Sequence, residues 1–216
     1  MGGIAWVTIV IIGLNVLFSW KGFNDVSFFD KYKFTIGDIK RGGQIRILSS
    51  GFLHANFTHL FVNMLTLYFF AGVVIAKVGI IQFVIIYVGS LILGNLFSYY
   101  FHRKDDLYTA VGASGAVMGV LYSAILLRPD MTLGLFFIIP MPAYVFGIGY
   151  LLYTLYGMKK QMDNIGHDAH FGGAMAGYFI TMIFAPYVFQ EHLLMVGLLL
   201  IPIVALFVAH KTGWIS

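Results

Sequence analysis

Four polar residues that could carry out acyl-transfer chemistry fall early in apolar stretches of this sequence. Ser114 lies among the glycines of residues 112–119, His170 opens a histidine-glycine stretch, and His59 and Asn63 are four residues apart. A serine alcohol becomes a good nucleophile when a base within hydrogen-bond reach takes its proton. Ser114 could therefore be a nucleophile, His170 its base, and His59 and Asn63 donors toward an oxyanion.

Each of these residues also has a purely structural interpretation. A serine in an apolar helix can bond the carbonyl one turn back, and His59 and Asn63 can bond neighbouring helices. His167 is an alternative base, three residues before His170. Asp168, two residues before His170, points to a different side of a helix. The spacing therefore predicts a Ser-His dyad without a carboxylate.

Two pairs of glycines predict how the serine and the histidine approach each other. Gly115 and Gly119 follow Ser114, while Gly173 and Gly177 follow His170. Small residues at four-residue spacing let helix backbones pack closely. Because His170 directly precedes such a pair, it is favoured over His167 as the base.

The composition predicts an all-α polytopic membrane protein. Of the 216 residues, 60% are hydrophobic and only 10% are charged, against about a quarter charged in soluble proteins. A membrane-spanning helix needs roughly 20 apolar residues, and seven stretches reach or approach that length: 4–20, 54–76, 78–101, 110–127, 138–156, 168–188 and 193–209. Even-numbered spans run in one direction, so the four polar residues should lie near one membrane face.

Three segments leave alternatives open. Residues 4–20 have no preceding Lys or Arg and fit a retained span better than a cleavable signal peptide. The polar segment 21–50 fits either the membrane interface or a solvated loop. The fifth span begins either near residue 138 or only near Pro142, because Pro140 and Pro142 favour a helix start. Residues 131–139 would then be an apolar linker along the membrane surface.

Several classes of site are disfavoured by what the sequence lacks. Cysteine is absent, so thiolate nucleophiles and cysteine-ligated metals are excluded. Glu191 is the only glutamate, which excludes a His-Glu-x-x-His zinc site. Every aspartate lies in a loop or at a span end, which disfavours proton-coupled transport and intramembrane aspartyl chemistry. The cations form no basic stripe, so nucleic acid is not an expected partner.

With these residues assembled, the chain resembles the rhomboid intramembrane serine proteases. The family pattern Gly-x-Ser-Gly-x-x-x-Gly matches Gly112, Ser114, Gly115 and Gly119. The pattern His-x-x-Gly-x-x-x-Gly matches His170, Gly173 and Gly177, and the pattern His-x-x-x-Asn matches His59 and Asn63. His54 and Arg46 also fall where family members often carry them. The chain departs from the family at Ile45, where tryptophan is usual, and at Met118, where an aromatic often packs on the catalytic histidine.

The resemblance implies a single rhomboid domain over residues 1–216, with a six-helix core to about 188 and a seventh span near 193–209. It implies an endopeptidase that cuts transmembrane segments of other proteins within the lipid bilayer, without a metal or cofactor. Ser114 would attack and His170 would exchange the proton. His59, Asn63, the Ser114 amide and Gly112 would stabilise the oxyanion.

The resemblance also implies a cell (inner or plasma) membrane protein whose site opens to the extracytoplasmic side. Eleven of the thirteen Lys and Arg would then lie on that side, with only Lys77 and Arg128 on the other, the reverse of the positive-inside rule. Two other functions compete: an inactive rhomboid-like protein that binds membrane clients, and a small transporter or channel whose activity would survive Ser114→Ala. The sequence carries no prediction of oligomeric state.

Overall fold

Seven long helices form the body of the described part of the chain, in agreement with the all-α architecture expected from the sequence. The computed structural model describes residues 5–135, 139–160 and 165–215. The long helices are α1 (Trp6–Asn24), α5 (Phe57–Val78), α6 (Ile80–His102), α7 (Ser114–Leu127), α8 (Ala143–Lys160), α9 (His167–Phe184) and α11 (Leu193–Lys211). One helix stands at each of the seven predicted spans.

Short elements connect the long helices. They are α2 (Val26–Tyr32), α3 (Ile36–Lys40), α4 (Arg46–Ser49), a 3-10 turn (Ser50–Phe52), α10 (Val188–Glu191) and four strands, β1 (Phe34–Thr35), β2 (Thr109–Ala110), β3 (Thr132–Leu135) and β4 (Ile139–Pro142). The strands form two antiparallel pairs, β1 with β2 and β3 with β4. Both pairs are small, so the helices build most of the core.

Helix boundaries follow local backbone chemistry. The Asn56 side chain accepts a hydrogen bond from the His59 amide at 2.9 Å and caps the start of α5. Gly79, with φ of 93°, separates α5 from α6. Within the described residues, α1, α5, α6 and α11 are long and apolar enough to cross a membrane by length and composition. α8 and α9 have 18 residues each, and α7 has 14.

Helix α7 lies at the centre of the bundle, in contact with α5, α6, α8 and α9. Twelve of its 14 residues are buried, as expected for a helix that is apolar on every side. Fourteen residues rise about 21 Å, less than the roughly 30 Å of a bilayer's hydrocarbon core. An α7 helix in a membrane therefore cannot reach both surfaces, and its ends lie within the protein.

The helix directions place all the candidate residues at one face of the bundle. We call this the site face: α5, α7 and α9 begin there, and α1, α6, α8 and α11 end there. The beginnings of α5, α7 and α9 carry His59, Ser114 and His170. The arrangement agrees with the common face expected from even-numbered spans.

The first loop is attached to the segment that precedes α7. Phe34 pairs with Ala110 and Thr35 with Thr109, and the Gly37 amide donates to the Asp106 carbonyl at 3.0 Å. Arg46 fixes the loop internally, because its guanidinium donates to the carbonyl groups of Asp30 (2.7 Å) and Lys33 (2.8 Å) and pairs with Asp38. This loop is therefore a folded part of the bundle, tied to the strand before the serine.

Around the fifth helix, one of the two alternatives from the sequence is correct and one expectation is wrong. α8 begins at Ala143, directly after Pro142, as the later start predicted. The preceding residues are not a simple linker, because Thr132 pairs with Pro142 and Leu135 with Ile139 in a β-hairpin. Residues 136–138 lie outside the described residues. α9 also ends earlier than predicted, at Phe184, before Pro186.

Candidate active site

Gly112 brings the His59 ring and the Ser114 hydroxyl together. Its φ is 135°, which L-residues with a side chain rarely adopt. A Cβ atom there would lie 2.7 Å from His59 Cε1, 2.9 Å from His59 Nε2 and 3.6 Å from Ser114 Oγ. The imidazole and the hydroxyl therefore flank the same side of this glycine, and any larger residue would push the ring away.

The Gly112 amide is occupied elsewhere. Its N–H donates to the Ser50 carbonyl at 3.0 Å, which anchors the turn before α7 to the 3-10 turn of the first loop. The contribution of Gly112 to the site is therefore space for His59, with its own amide turned to Ser50. The amides of the first turn of α7, which starts at Ser114, have no carbonyl partner within the helix.

His54 holds the backbone immediately before Ser114. The Ala113 amide donates to His54 Nε2 at 3.4 Å, so Nδ1 carries the proton and donates to Ser19 Oγ at 2.9 Å. Ser19 in turn donates to the Phe52 carbonyl at 3.0 Å. Burial, with a smaller contribution from His59, lowers the pKa of His54 to about 3. A neutral His54 thus links α1, the first loop and the serine turn.

Asn63 lies one turn after His59 and is 6% exposed. One N–H of its side-chain amide donates to the His59 carbonyl at 2.9 Å. An amide group has a second N–H, so the side chain retains donor capacity beyond this local bond. Its use toward an oxyanion stays a prediction.

The two glycine pairs make α7 and α9 pack backbone to backbone. A Cβ on Gly173 would overlap the Gly115 carbonyl, and one on Gly177 would overlap the Gly119 backbone. Thr181 adds a polar link, since its hydroxyl donates to Ser123 Oγ at 2.6 Å. The close packing expected from the four-residue spacing is present in the fold.

This packing brings the residue after Ser114 beside the residue before His170. A Cβ on Gly115 would lie 3.3 Å from the Ala169 carbonyl oxygen. The backbones that carry the serine and the histidine are thus in van der Waals contact. The Ser114–His170 hydrogen bond itself stays a prediction.

Tyr150 of α8 is a site residue that the sequence analysis missed. Its hydroxyl lies 2.8 Å from His170 Nδ1, and the two rings stack at 25° with centroids 6.2 Å apart. The contact supplies both an aromatic surface and a hydrogen bond to the histidine. Met118, where the family often has that aromatic, is partly buried against the core, so the aromatic partner of His170 comes from another helix.

His167 and Asp168 are directed to other partners than His170. Asp168 is buried and its carboxylate lies 3.3 Å from His102 Nε2. Tyr108 stacks on His102 with centroids 3.6 Å apart and donates to Asp168 at 3.5 Å. His167 packs edge-on against Tyr153. Asp168 therefore contacts a different histidine, and the dyad itself stays a prediction. Among the described residues, no three His, Asp or Glu form a group suited to a metal ion.

Comparison with known proteins identifies the family. A model of the rhomboid domain matches residues 41–187, which include α5 to α9 but neither α1 nor α11. The chain is 30% identical over 182 residues to RHOMBOID-like protein 12, mitochondrial, of Arabidopsis thaliana, covering 77% of this chain and 54% of the plant protein. It is 33% identical over 139 residues to Rhomboid protein 1, mitochondrial, of Saccharomyces cerevisiae (62% and 40% covered).

A third relative is Presenilin-associated rhomboid-like protein A, mitochondrial, of Danio rerio, at 30% identity over 175 residues, covering 77% of this chain and 45% of the fish protein. The chain spans about half the length of the curated relatives it matches.

These relatives correct one expectation and confirm another. The predicted location in a cell (inner or plasma) membrane is wrong, because the plant, yeast and fish relatives are mitochondrial proteins and point to a mitochondrial membrane. The predicted family is confirmed by the domain match and by these relatives together. This chain belongs to the rhomboid family.

Proposed function

We propose that this protein is an intramembrane serine endopeptidase that hydrolyses peptide bonds in or near transmembrane segments of other membrane proteins. Ser114 Oγ attacks the scissile carbonyl carbon while His170 takes the hydroxyl proton. His170 then gives that proton to the leaving amine as the C–N bond breaks, which leaves an acyl-Ser114 ester. Water, deprotonated by His170, attacks the ester carbonyl carbon, and His170 returns that proton to Ser114 Oγ as the C–Oγ bond breaks and the second product leaves.

The contact between Gly115 and Ala169 is the observation that carries this proposal. It places the residue after Ser114 against the residue before His170, which is the arrangement that a serine nucleophile and its histidine base need. The hydrogen bond at His170 Nδ1 to Tyr150 makes Nε2 the ring nitrogen for proton exchange with the serine.

Oxyanion stabilisation is assigned to donors that converge beside Gly112. The His59 ring lies against this glycine on the side of Ser114 Oγ, and the Ser114 amide is at the N-terminus of α7, where the helix dipole favours negative charge. Asn63 adds a side-chain N–H from the next turn of α5. Removing one donor of this kind typically costs about 3 kcal/mol of transition-state stabilisation.

The position of Ser114 in the bundle supports the proposed substrate class. The rhomboid fold places the chain in a lipid bilayer, and the buried, 14-residue α7 carries Ser114 at one of its ends. A nucleophile held there meets polypeptide that is itself in the membrane. Transmembrane proteins are therefore the proposed partners, and their helices must unwind locally to expose a peptide bond.

Labelling with a fluorophosphonate serine probe in detergent tests the proposal. We expect the wild-type protein to be labelled and both Ser114→Ala and His170→Ala to lose labelling while keeping the wild-type melting temperature. Ser123→Ala is the control, since Ser123 is the other serine of α7 and is buried, and this variant should label normally. A folded wild type that stays unlabelled, where a known rhomboid protease labels, would contradict the proposal and favour a client-binding protein.

A further inference from the structure

Positive charge is concentrated at the site face. Of the 13 Lys and Arg residues, only Lys77 and Arg128 lie at the opposite face. Four cations of the first loop pair with three carboxylates at 2.6–2.9 Å: Lys33 with Asp30, Lys40 with Asp106, and both Arg41 and Arg46 with Asp38. No other Lys or Arg of this face forms such a pair with a carboxylate of the described residues.

Three of the remaining cations share one corner of the bundle, where α6, α8 and α11 end. Arg103, Lys159 and Lys160 are all exposed there. Within residues 5–135, 139–160 and 165–215, none of the three has a carboxylate within 4 Å. We call this set the basic corner. No acidic side chain of the described residues forms an ion pair with it.

Each cation of the basic corner lies over an aromatic ring. The Arg103 guanidinium is 4.5 Å from the Tyr100 ring centroid, the Lys159 ammonium 4.0 Å from that of Trp214, and the Lys160 ammonium 5.9 Å from that of Tyr156. The ring covers one side of the cation without neutralising it. The other side remains available to an anion.

His210 links the ends of α6 and α11. Its Nε2 lies 3.2 Å from the Tyr100 hydroxyl, and its Nδ1 lies 3.3 Å from the Ile215 carbonyl, which follows Trp214. The segment after α11 therefore folds back and delivers Trp214 to Lys159. These contacts preorganise the rings beneath the cations.

An exposed apolar surface continues from the basic corner along α11. Val204, Phe207 and Val208 are 51%, 55% and 56% exposed and lie within two turns of the helix end. Tyr156 of α8, which lies under Lys160, is itself 53% exposed. Cations and aromatic rings above an apolar helix face match the headgroup and acyl chains of one phospholipid.

We propose that the basic corner binds the headgroup phosphate of an anionic phospholipid whose acyl chains lie along α11. The phosphate accepts hydrogen bonds from Arg103, Lys159 and Lys160 and is attracted by their positive charges. A soluble anion would gain only the charge interactions, whereas a lipid also covers Val204, Phe207 and Val208. A cation near an anionic lipid surface contributes about fivefold in affinity, so three contribute on the order of 100-fold.

Native mass spectrometry of the whole chain with added phosphatidylglycerol tests this site, with phosphatidylcholine as the zwitterionic reference. We expect the wild type to prefer phosphatidylglycerol and the Arg103→Gln/Lys159→Gln/Lys160→Gln variant to lose on the order of 100-fold in affinity. The single variant Lys159→Gln should lose about fivefold, which keeps the test valid if the triple variant does not fold. Lys77→Gln/Arg128→Gln, at the opposite face, should bind phosphatidylglycerol as the wild type does.

Three outcomes would overturn the assignment. They are an unchanged phosphatidylglycerol affinity in folded corner variants, equal wild-type affinity for the two lipids, and displacement of the lipid by inorganic phosphate at equal concentration. None of these measurements depends on proteolysis, so the lipid site and the proposed enzymatic activity stand or fall separately.

Discussion

The contact between Gly173 and Gly115 gives a quantitative test of how the site is held together. In Gly173→Ala, the new methyl carbon would lie 2.7 Å from the Gly115 carbonyl carbon and 2.8 Å from its Cα. Nonbonded carbons need about 3.5 Å. Because the opposing atoms are backbone and cannot rotate away, α7 and α9 must move apart by about 1 Å.

This displacement should affect stability modestly and labelling of the serine strongly. Overpacking costs about 1–3 kcal/mol, and replacing a helical glycine by alanine returns up to about 1 kcal/mol. We therefore expect the free energy of unfolding to fall by up to about 2 kcal/mol. A misplacement of about 1 Å between reacting groups can cost about 100-fold in rate, so fluorophosphonate labelling of Ser114 should slow by about that factor.

Unfolding in detergent and the labelling rate are the two measurements, with Gly72→Ala as the matched control. Gly72 is an exposed helical glycine of α5, and no atom lies within 4 Å of the position that an alanine methyl group would occupy there. Gly72→Ala therefore brings the same gain in helix propensity as Gly173→Ala, without the clash between helix backbones. It should stabilise the protein by up to about 1 kcal/mol and leave labelling unchanged. If Gly173→Ala behaves like Gly72→Ala in both measurements, the close backbone contact is refuted.

Two further predictions concern the histidines. Tyr150→Phe keeps the ring over His170 and removes the hydroxyl bonded to Nδ1. Because a hydrogen bond to a charged group contributes about 1.5–3 kcal/mol, labelling of Ser114 should slow by about 10- to 100-fold at an unchanged melting temperature. An unchanged labelling rate would remove Tyr150 from the site. Burial lowers the pKa of His54 to about 3. As the pH falls, His54 is therefore protonated in the unfolded chain before it is protonated in the folded protein. The free energy of unfolding should therefore fall by up to about 1.4 kcal/mol per pH unit from about pH 6.5 toward 3, and pH-dependent melting of His54→Gln should lose this slope; an unchanged slope would assign it to another group.

The contact between α7 and α9 was predictable because it depends on a property visible in each helix alone. Gly115 and Gly119, like Gly173 and Gly177, lack the Cβ that would hold two backbones apart. No knowledge of the partner helix is needed to recognise such a face. The direction of each span then sufficed to place the residues of interest at one side of the bundle.

Tyr150 could not be predicted in this way. α8 contains four tyrosines, Tyr144, Tyr150, Tyr153 and Tyr156, and sequence alone does not distinguish them. Which one meets His170 depends on the rotation of α8 about its axis, and that rotation is set by packing against α9 and α11. The absence of an aromatic at Met118 showed that a partner was missing but not where it would come from.

The hairpin before α8 was missed for a different reason. Residues 131–142 are apolar without the strict alternation that marks a half-buried strand, and a short apolar run is ambiguous between helix and strand. Pro140 and Pro142 argued correctly against a helix. The pairing of β3 with β4 depends on the register of two distant residues, Thr132 and Pro142, which no local pattern encodes.

The β1–β2 pairing has a consequence for building chimaeric rhomboids. Residues 34–37 and 106–110 are joined by strand pairing and by the Gly37–Asp106 hydrogen bond, while Ser50 holds the Gly112 amide. A first loop transplanted from a relative would arrive without the partners it evolved with. Segments 34–50 and 106–113 therefore need to be exchanged together. A chimaera of two relatives should keep its function when both segments come from the same protein.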